Sequence, residues 1–272
     1  MQFDILTLFP EMVSGVLSES ILGRAQKAGH ITVRCHQIRD YSENKHRNVD
    51  DTPYGGGVGM VMAAPPIYAC FRAATADIPE KNRRRVIYLS PRGRVLTQDI
   101  AHELCAYDNL ILLCGHYEGV DERILEEIVD EELSIGDYVL TGGELPACVL
   151  VDAVSRMLDG VLSSPACYEG ESIAGGLLEY PQYTRPPVFM GREVPPVLLS
   201  GHHGHIEAWR TEASLRLTEE RRPDLFAAYC AAHPAPPPKK KRRSAKKTED
   251  SAKAVPSDDA DNALQAKTDD PL

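Results

Sequence analysis

"GDYVLTGGELP", residues 136–146, packs three glycines, a threonine and a proline into the exit from an apolar segment. Glycine-dense exits let backbone approach a ligand closely. Loops built for phosphate usually add a lysine, or a glycine fingerprint that opens a helix, and this loop has neither. Residues 115–146 also hold ten acids (Glu118, Asp121, Glu122, Glu126, Glu127, Asp130, Glu131, Glu132, Asp137 and Glu144) against one base, Arg123. A triphosphate needs Lys, Arg or a metal beside the amides, so it suits this setting poorly. A ligand with a purine, a ribose and a positive centre suits it better. S-adenosylmethionine has those three parts.

Around this loop, the first 160 residues alternate short apolar runs with helical patterns, which predicts an α/β fold. "FDILTLF" (3–9), "ITVRCHQI" (31–38), "RVIYLS" (85–90), "LILLCG" (110–115) and "YVLTG" (138–142) read as strands. Helices fit 11–28, 64–74, 97–106, 121–130 and 144–158, the second opening on Pro65-Pro66. Residues 160–176, rich in Gly, Ser and Pro, read as a linker. The proline-punctuated 177–200 reads as extended, and "HIEAWRTEASLRLTEERRPDLFAAY" as helical. The segment 234–272, charged and without aromatics, reads as a disordered tail.

Composition narrows the function. The chain has 272 residues and a formal charge of −10, which argues against a coat-like nucleic-acid binder. Local basic patches remain, at 81–85, 220–222 and 239–243. The N-terminus reads as a first strand rather than a secretory signal, and no apolar run is long enough to span a membrane. Seven scattered cysteines without a C-x-x-C pair suggest reduced core thiols in a cytoplasmic protein. "GHHGH" (201–205) invites a zinc reading, but no ligand motif completes it, so no metal site is assigned. The lysine-bearing and dinucleotide glycine motifs of hydrolases and dehydrogenases are missing.

Several long motifs occur together and in order: "HRNVDDTPYGGGVGM" (46–60), "YLSPRGR" (88–94), "CGHYEGVDER" (114–123), "SIGDYVLTGGELP" (134–146), "TRPPVFMGREVPPVLLSG" (184–201) and "ERRPDLF" (220–226). Through them the chain resembles the bacterial tRNA (guanine-N1)-methyltransferases, a branch of the SPOUT class, to about residue 233.

The resemblance implies a parallel sheet whose C-terminal half is tied in a deep trefoil knot, followed by a small helical domain that grips tRNA. The corresponding division is a methyltransferase domain over 1–160, a linker over 161–176 and a tRNA-binding domain over 177–233. It implies a homodimer with active sites shared between subunits, and methylation of N1 of guanosine 37. S-adenosylmethionine would lie among Pro91, Gly93, Gly115, Tyr117, Glu118, Ile135, Gly136, Asp137, Tyr138, Val139, Leu140, Gly142, Gly143 and Pro146. Magnesium would assist without a dedicated protein site.

Removing the N1 proton of guanine takes a base, and charge growing on O6 takes a donor. By resemblance the donor is Arg156 and the base an aspartate, for which this chain has Glu171, with Glu169 two residues away as a second candidate. His46, Arg47, Asp50, Tyr54, His202 and His203 would meet the tRNA. His202 stands where relatives usually carry asparagine, and His116 where they often carry arginine. A catalytically weak tRNA-binding protein that keeps the cofactor pocket is the alternative reading of the Asp-to-Glu change.

Overall fold

The computed structural model describes residues 1–164, 168 and 171–234. Glu169 and the tail expected to be disordered therefore lie outside the described residues, Pro234 excepted. In chain order the strands are β1 (Gln2–Thr7), β2 (Thr32–Gln37), the short β3 (Asp50–Asp51) and β4 (Val61–Met62), β5 (Arg84–Val95), β6 (Asn109–Cys114), β7 (Glu131–Ser134), β8 (Val188–Phe189) and β9 (Arg192–Glu193). The helices are α1 (Pro10–Leu17), α2 (Ser20–Lys27), α3 (Ala64–Thr75), α4 (Gln98–Leu104), α5 (Glu122–Ile128), α6 (Glu144–Ser155), α7 (Pro196–Leu199), α8 (His203–Arg221) and α9 (Pro223–Ala232).

Five strands pair in the order β2-β1-β6-β5-β7, and every pairing is parallel. Period-2 alternation divides their side chains between two cores. Phe3, Ile5, Ile87, Leu89, Leu110 and Leu112 meet α1, α2, α4 and α6 on one face. Leu6, Val86, Tyr88, Ile111 and Leu113 meet α3 and α5 on the other. Helices on both faces explain why β6, at the centre, is apolar without a break after Asn109. Truncating Leu112 to alanine would cost about 2–5 kcal/mol.

Several elements differ from the sequence reading. The helix expected over 11–28 breaks at Ser18 and Glu19, and Gly23 of the second piece lies against the Ser18 carbonyl, where a Cβ would collide. The strand expected at 138–142 is loop, and the fifth strand is 131–134. Tyr138, Val139 and Leu140 are exposed instead of packed. Within the stretch expected to be extended, β8 and β9 form a hairpin and α7 makes one helical turn. The end piece is two helices. Arg222 precedes Pro223 and leaves the helical region, at φ −138° and ψ 67°, as a residue before proline is driven to do.

Residues 1–233 form one compact unit. Near its end, α8 packs on α9, and Thr218 is buried. The Thr218 hydroxyl accepts from Leu178 N at 2.8 Å and donates to Ser214 O at 2.7 Å. Trp209 is half-buried beside Tyr183, with ring centroids 6.3 Å apart. Cys70, Cys114 and Cys148 are buried thiols whose pKa values burial raises, to about 12 for Cys70. None of these three is poised as a nucleophile.

Candidate active site

Three loops converge at the C-terminal ends of adjacent parallel strands, where open α/β sheets bind ligands. The first is a bulge inside β5, between Leu89 and Arg94. The second follows β6 from Gly115, and the third follows β7 from Ile135. Together they line one open cleft. Of the residues expected around a cofactor, Pro91, Gly115, Tyr117, Glu118, Ile135, Gly136, Tyr138, Val139, Leu140, Gly142, Gly143 and Pro146 line it. Gly93 and Asp137 do not. Gly93 sits where β5 touches β7, and a Cβ there would stand 2.5 Å from the Glu132 carbonyl carbon.

Close packing of backbone explains the glycines. A Cβ on Gly115 would meet the Tyr88 hydroxyl at 2.7 Å, and one on Gly143 would meet Cys114 Cα at 2.7 Å. Gly143 N donates to Gly115 O at 3.0 Å, pinning the third loop to the second. Gly136 has φ +146°, a conformation that glycine adopts freely. Tyr117 is left-handed without being glycine, at φ +59°, and its hydroxyl accepts from Arg39 Nη2 at 3.3 Å.

Three of the ten acids in 115–146, Glu122, Glu131 and Glu132, pair across the sheet with arginines of β5. Arg92 meets Glu132 at 2.9 Å and Glu122 at 3.2 Å, while Arg94 meets Glu131 at 2.6 Å and Arg85 meets it at 3.6 Å. Asp121 pairs with Arg123 at 2.6 Å, which holds its carboxyl below the usual range. Two carboxylates remain at the cleft. Glu118 lines it in an exposed position, and Glu144 is buried behind it. Glu144 accepts from the Thr7 hydroxyl at 2.6 Å and from His116 Nε2 at 2.8 Å.

Neither Arg156 nor Glu171 lines this cleft. Arg156, at the C-terminal end of α6, makes a two-pronged pair with Glu171, Nη1 to Oε2 at 2.5 Å and Nη2 to Oε1 at 2.9 Å. The Arg156 hydrogen bond holds the Glu171 carboxyl below its ordinary value. Glu171 borders a second hollow with Tyr180, Glu207, Arg210 and Tyr229.

The residues expected to meet tRNA are spread over two regions. His46 is exposed, and Arg47 is tied to Asp40 at 2.9 Å. Asp50 pairs with Met62 in the β3–β4 ribbon, and Tyr54 is 99% exposed on the glycine loop that follows. That loop is stitched to the cleft, with Glu118 N bonded to Met60 O at 3.0 Å and Met62 N to Gly119 O at 2.9 Å. His202 caps α8, its ring stacked on His205 at 3.9 Å, and His203 begins the helix. Among the described residues, no group of three or more His, Cys, Asp or Glu is placed to hold a metal.

The family model described as tRNA (Guanine-1)-methyltransferase TrmD matches residues 1–228. The chain belongs to this tRNA (guanine-1)-methyltransferase family. A relative from Ruminiclostridium cellulolyticum, named tRNA (guanine-N(1)-)-methyltransferase, is 58% identical over 226 residues, covering 83% of this chain and 96% of the relative. Relatives of the same name come from Alkaliphilus oremlandii, at 56% over 83% of this chain and 92% of theirs, and Chloroflexus aurantiacus, at 57% over 85% and 90%.

In this member of the family, sequence reasoning missed Tyr88, Ser90, His116, Ser134 and Thr141, which also line the cleft. Each is adjacent or nearly adjacent to a glycine or proline that the motifs do mark, so neighbours of those residues were the available signal. The buried Thr7–Glu144–His116 connection had none, because Thr7 and Glu144 lie 137 residues apart.

Proposed function

We propose that this tRNA (guanine-1)-methyltransferase family member transfers a methyl group from S-adenosylmethionine to N1 of guanosine 37 of tRNA, beside the anticodon. The observation that carries the reading is the cleft built from three glycine loops, with Glu118 and no lysine or arginine on its lining. Gly115, Gly142 and Gly143 line the cleft without side chains, which fits a flat adenine lying against backbone. S-adenosylmethionine supplies an electrophilic methyl group on a positively charged sulfur. Gly115, Ile135, Gly136 and Leu140 would hold its adenosine, and Glu118 lies within the same lining.

In this reading Glu171 accepts the N1 proton of guanine. Arg156 keeps it ionised, orients it and offers N–H donors to O6 as charge grows there. The bidentate pair favours this role over the alternative of a binding protein that has lost its base. Glutamate reaches its arginine through both oxygens despite the added methylene.

A homodimer with shared sites accounts for the separation of Glu171 from the cleft within one chain. Phe9, Met12 and Val16 beside α6, with Leu145 and Val149 on it, form an exposed apolar strip that a second copy would cover. A knot is supported by one crossing. The chain leaves β7, beyond β5, and Gly143 lands at the end of β6. The division into a catalytic domain over 1–160, a linker and a tRNA-binding end is part of the same proposal, as is a cytoplasmic setting. No described helix is long and apolar enough to cross a membrane.

Single-turnover transfer of labelled methyl from S-adenosylmethionine tests this. Label is expected in tRNA carrying guanosine at position 37 and not in tRNA carrying adenosine there. Equal labelling of both, or of neither, overturns the assignment.

A further inference from the structure

Glu144 is 1% exposed, yet its partners are a hydroxyl and an imidazole rather than a lysine or arginine. Its position is fixed from three directions. Thr7, whose hydroxyl also accepts from Phe9 N at 2.9 Å, donates from the end of β1. His116 reaches in from the second cleft loop. Its Nε2 lies 2.8 Å from Glu144 Oε2. Glu144 is also the first residue of α6, where the helix dipole favours a negative charge.

The carboxylate lies directly behind the cleft wall. A Cβ built on Gly142, which lines the cleft, would stand 2.5 Å from Glu144 Oε2 and would strike His116 Nε2. Glu122, Glu131, Glu132 and Asp121 are matched by arginines, and Glu118 is exposed, so solvent and salt screen it. A buried charge acts through a medium of lower dielectric and keeps its reach.

We propose that Glu144 is the fixed counter-charge by which the cleft prefers a cationic methyl donor to its neutral by-product. The proposal rests on the S-adenosylmethionine reading above. S-adenosylmethionine and S-adenosylhomocysteine share the adenosine and the amino-acid group and differ by the methyl and the sulfonium charge. A charge facing that sulfur therefore shows in the ratio of their affinities, whereas a scaffold role moves both together.

Calorimetric titration of the full chain with each compound separates the possibilities. Glu144→Gln, which keeps the shape and an acceptor for Thr7, is expected to weaken S-adenosylmethionine about tenfold more than S-adenosylhomocysteine. Thr7→Val, which removes a donor without changing charge, is expected to leave the ratio unaltered. If Glu144→Gln does not fold by circular dichroism, His116→Arg places a permanent cation on the carboxylate and is expected to lower the ratio likewise. Equal weakening of both compounds in the folded charge variant overturns the proposal, as does a ratio that moves with Glu118→Gln and not with Glu144→Gln. Wild-type protein that binds neither compound instead overturns the cofactor reading on which it rests.

Discussion

Arg156 and Glu171 face each other fork to fork, both guanidinium Nη atoms meeting both carboxylate oxygens at 2.5 and 2.9 Å. The geometry holds a carboxylate ionised and aimed while leaving it about a third exposed, at 38%. Such a group can take a proton from a substrate that arrives from solvent.

Glu171→Ala is expected to lower single-turnover methyl transfer by about 10²–10⁴-fold, the usual contribution of a general base. S-adenosylmethionine affinity should be unchanged, because Glu171 does not line the cleft. Glu169→Ala is expected to stay within a few-fold of wild type. Reversal of the two results would assign the base to Glu169.

The depressed Glu171 pKa sets a pH dependence. A carboxyl whose folded pKa lies below its unfolded value adds stability above the unfolded value and loses it as pH falls through the folded one. The melting temperature of Glu171→Gln should therefore fall below wild type at neutral pH. The gap should close as pH drops below the ordinary value of 4.5. A gap that persists or widens in acid would show that the pair contributes no ionised-state stability. The same shift predicts no loss of activity from Glu171 protonation between pH 6 and 8, a range that rate profiles would check.

Gly143 occupies ordinary helical backbone, φ −83°, so only space forbids a larger residue there. Gly143→Ala would push a methyl onto the backbone of Cys114 at Cα, which cannot swing aside as a side chain could. A stability loss of about 1–3 kcal/mol by urea unfolding is expected, with a parallel loss of cofactor affinity. Gly175→Ala, which meets nothing within 4 Å, should be near neutral.

Paired charge substitutions Val16→Lys and Val149→Lys test the apolar strip. Sedimentation is expected to convert a dimer to a folded monomer that retains the far-UV spectrum. If wild type sediments as a monomer, the shared-site reading falls with it.

Burial predicts that Cys70 and Cys114 resist a thiol reagent until the protein unfolds, whereas exposed Cys230 labels at once. Peptide mapping by mass spectrometry checks the order. Rapid native labelling of Cys70 would contradict its position in the core.

The strands β1, β5 and β6 were legible because each contains an apolar run covered on both sides, and β2, "TVRCHQ" at one edge, because it follows the apolar Ile31 with Val33 and Cys35 in alternation. The edge strand β7 was not. Its "EELS" carries two acids that answer β5 arginines lying about 40 residues earlier, so its charges disguise a sheet residue pattern. The neighbouring "YVL" looked like a strand because it is apolar, yet its residues are held out at the cleft rather than packed. Composition along 115–146 likewise overstated the local negative charge, since three of its acids are matched by arginines of β5. Glycines and prolines marked the cleft well, because backbone approach is a property of single residues. Buried polar connections such as Thr7 to Glu144 join distant segments and leave no local trace.

The crossing from β7 to the end of β6 orders events during synthesis. A nascent chain that has emerged only as far as residue 134 already owns all five strands of the sheet, but its third wall, 135–146, is still inside the ribosome. Such a fragment could pair its strands and still have nowhere to seat a nucleoside. On the proposed reading, ligand capture is therefore a late milestone, open only to molecules whose third loop has reached the end of β6.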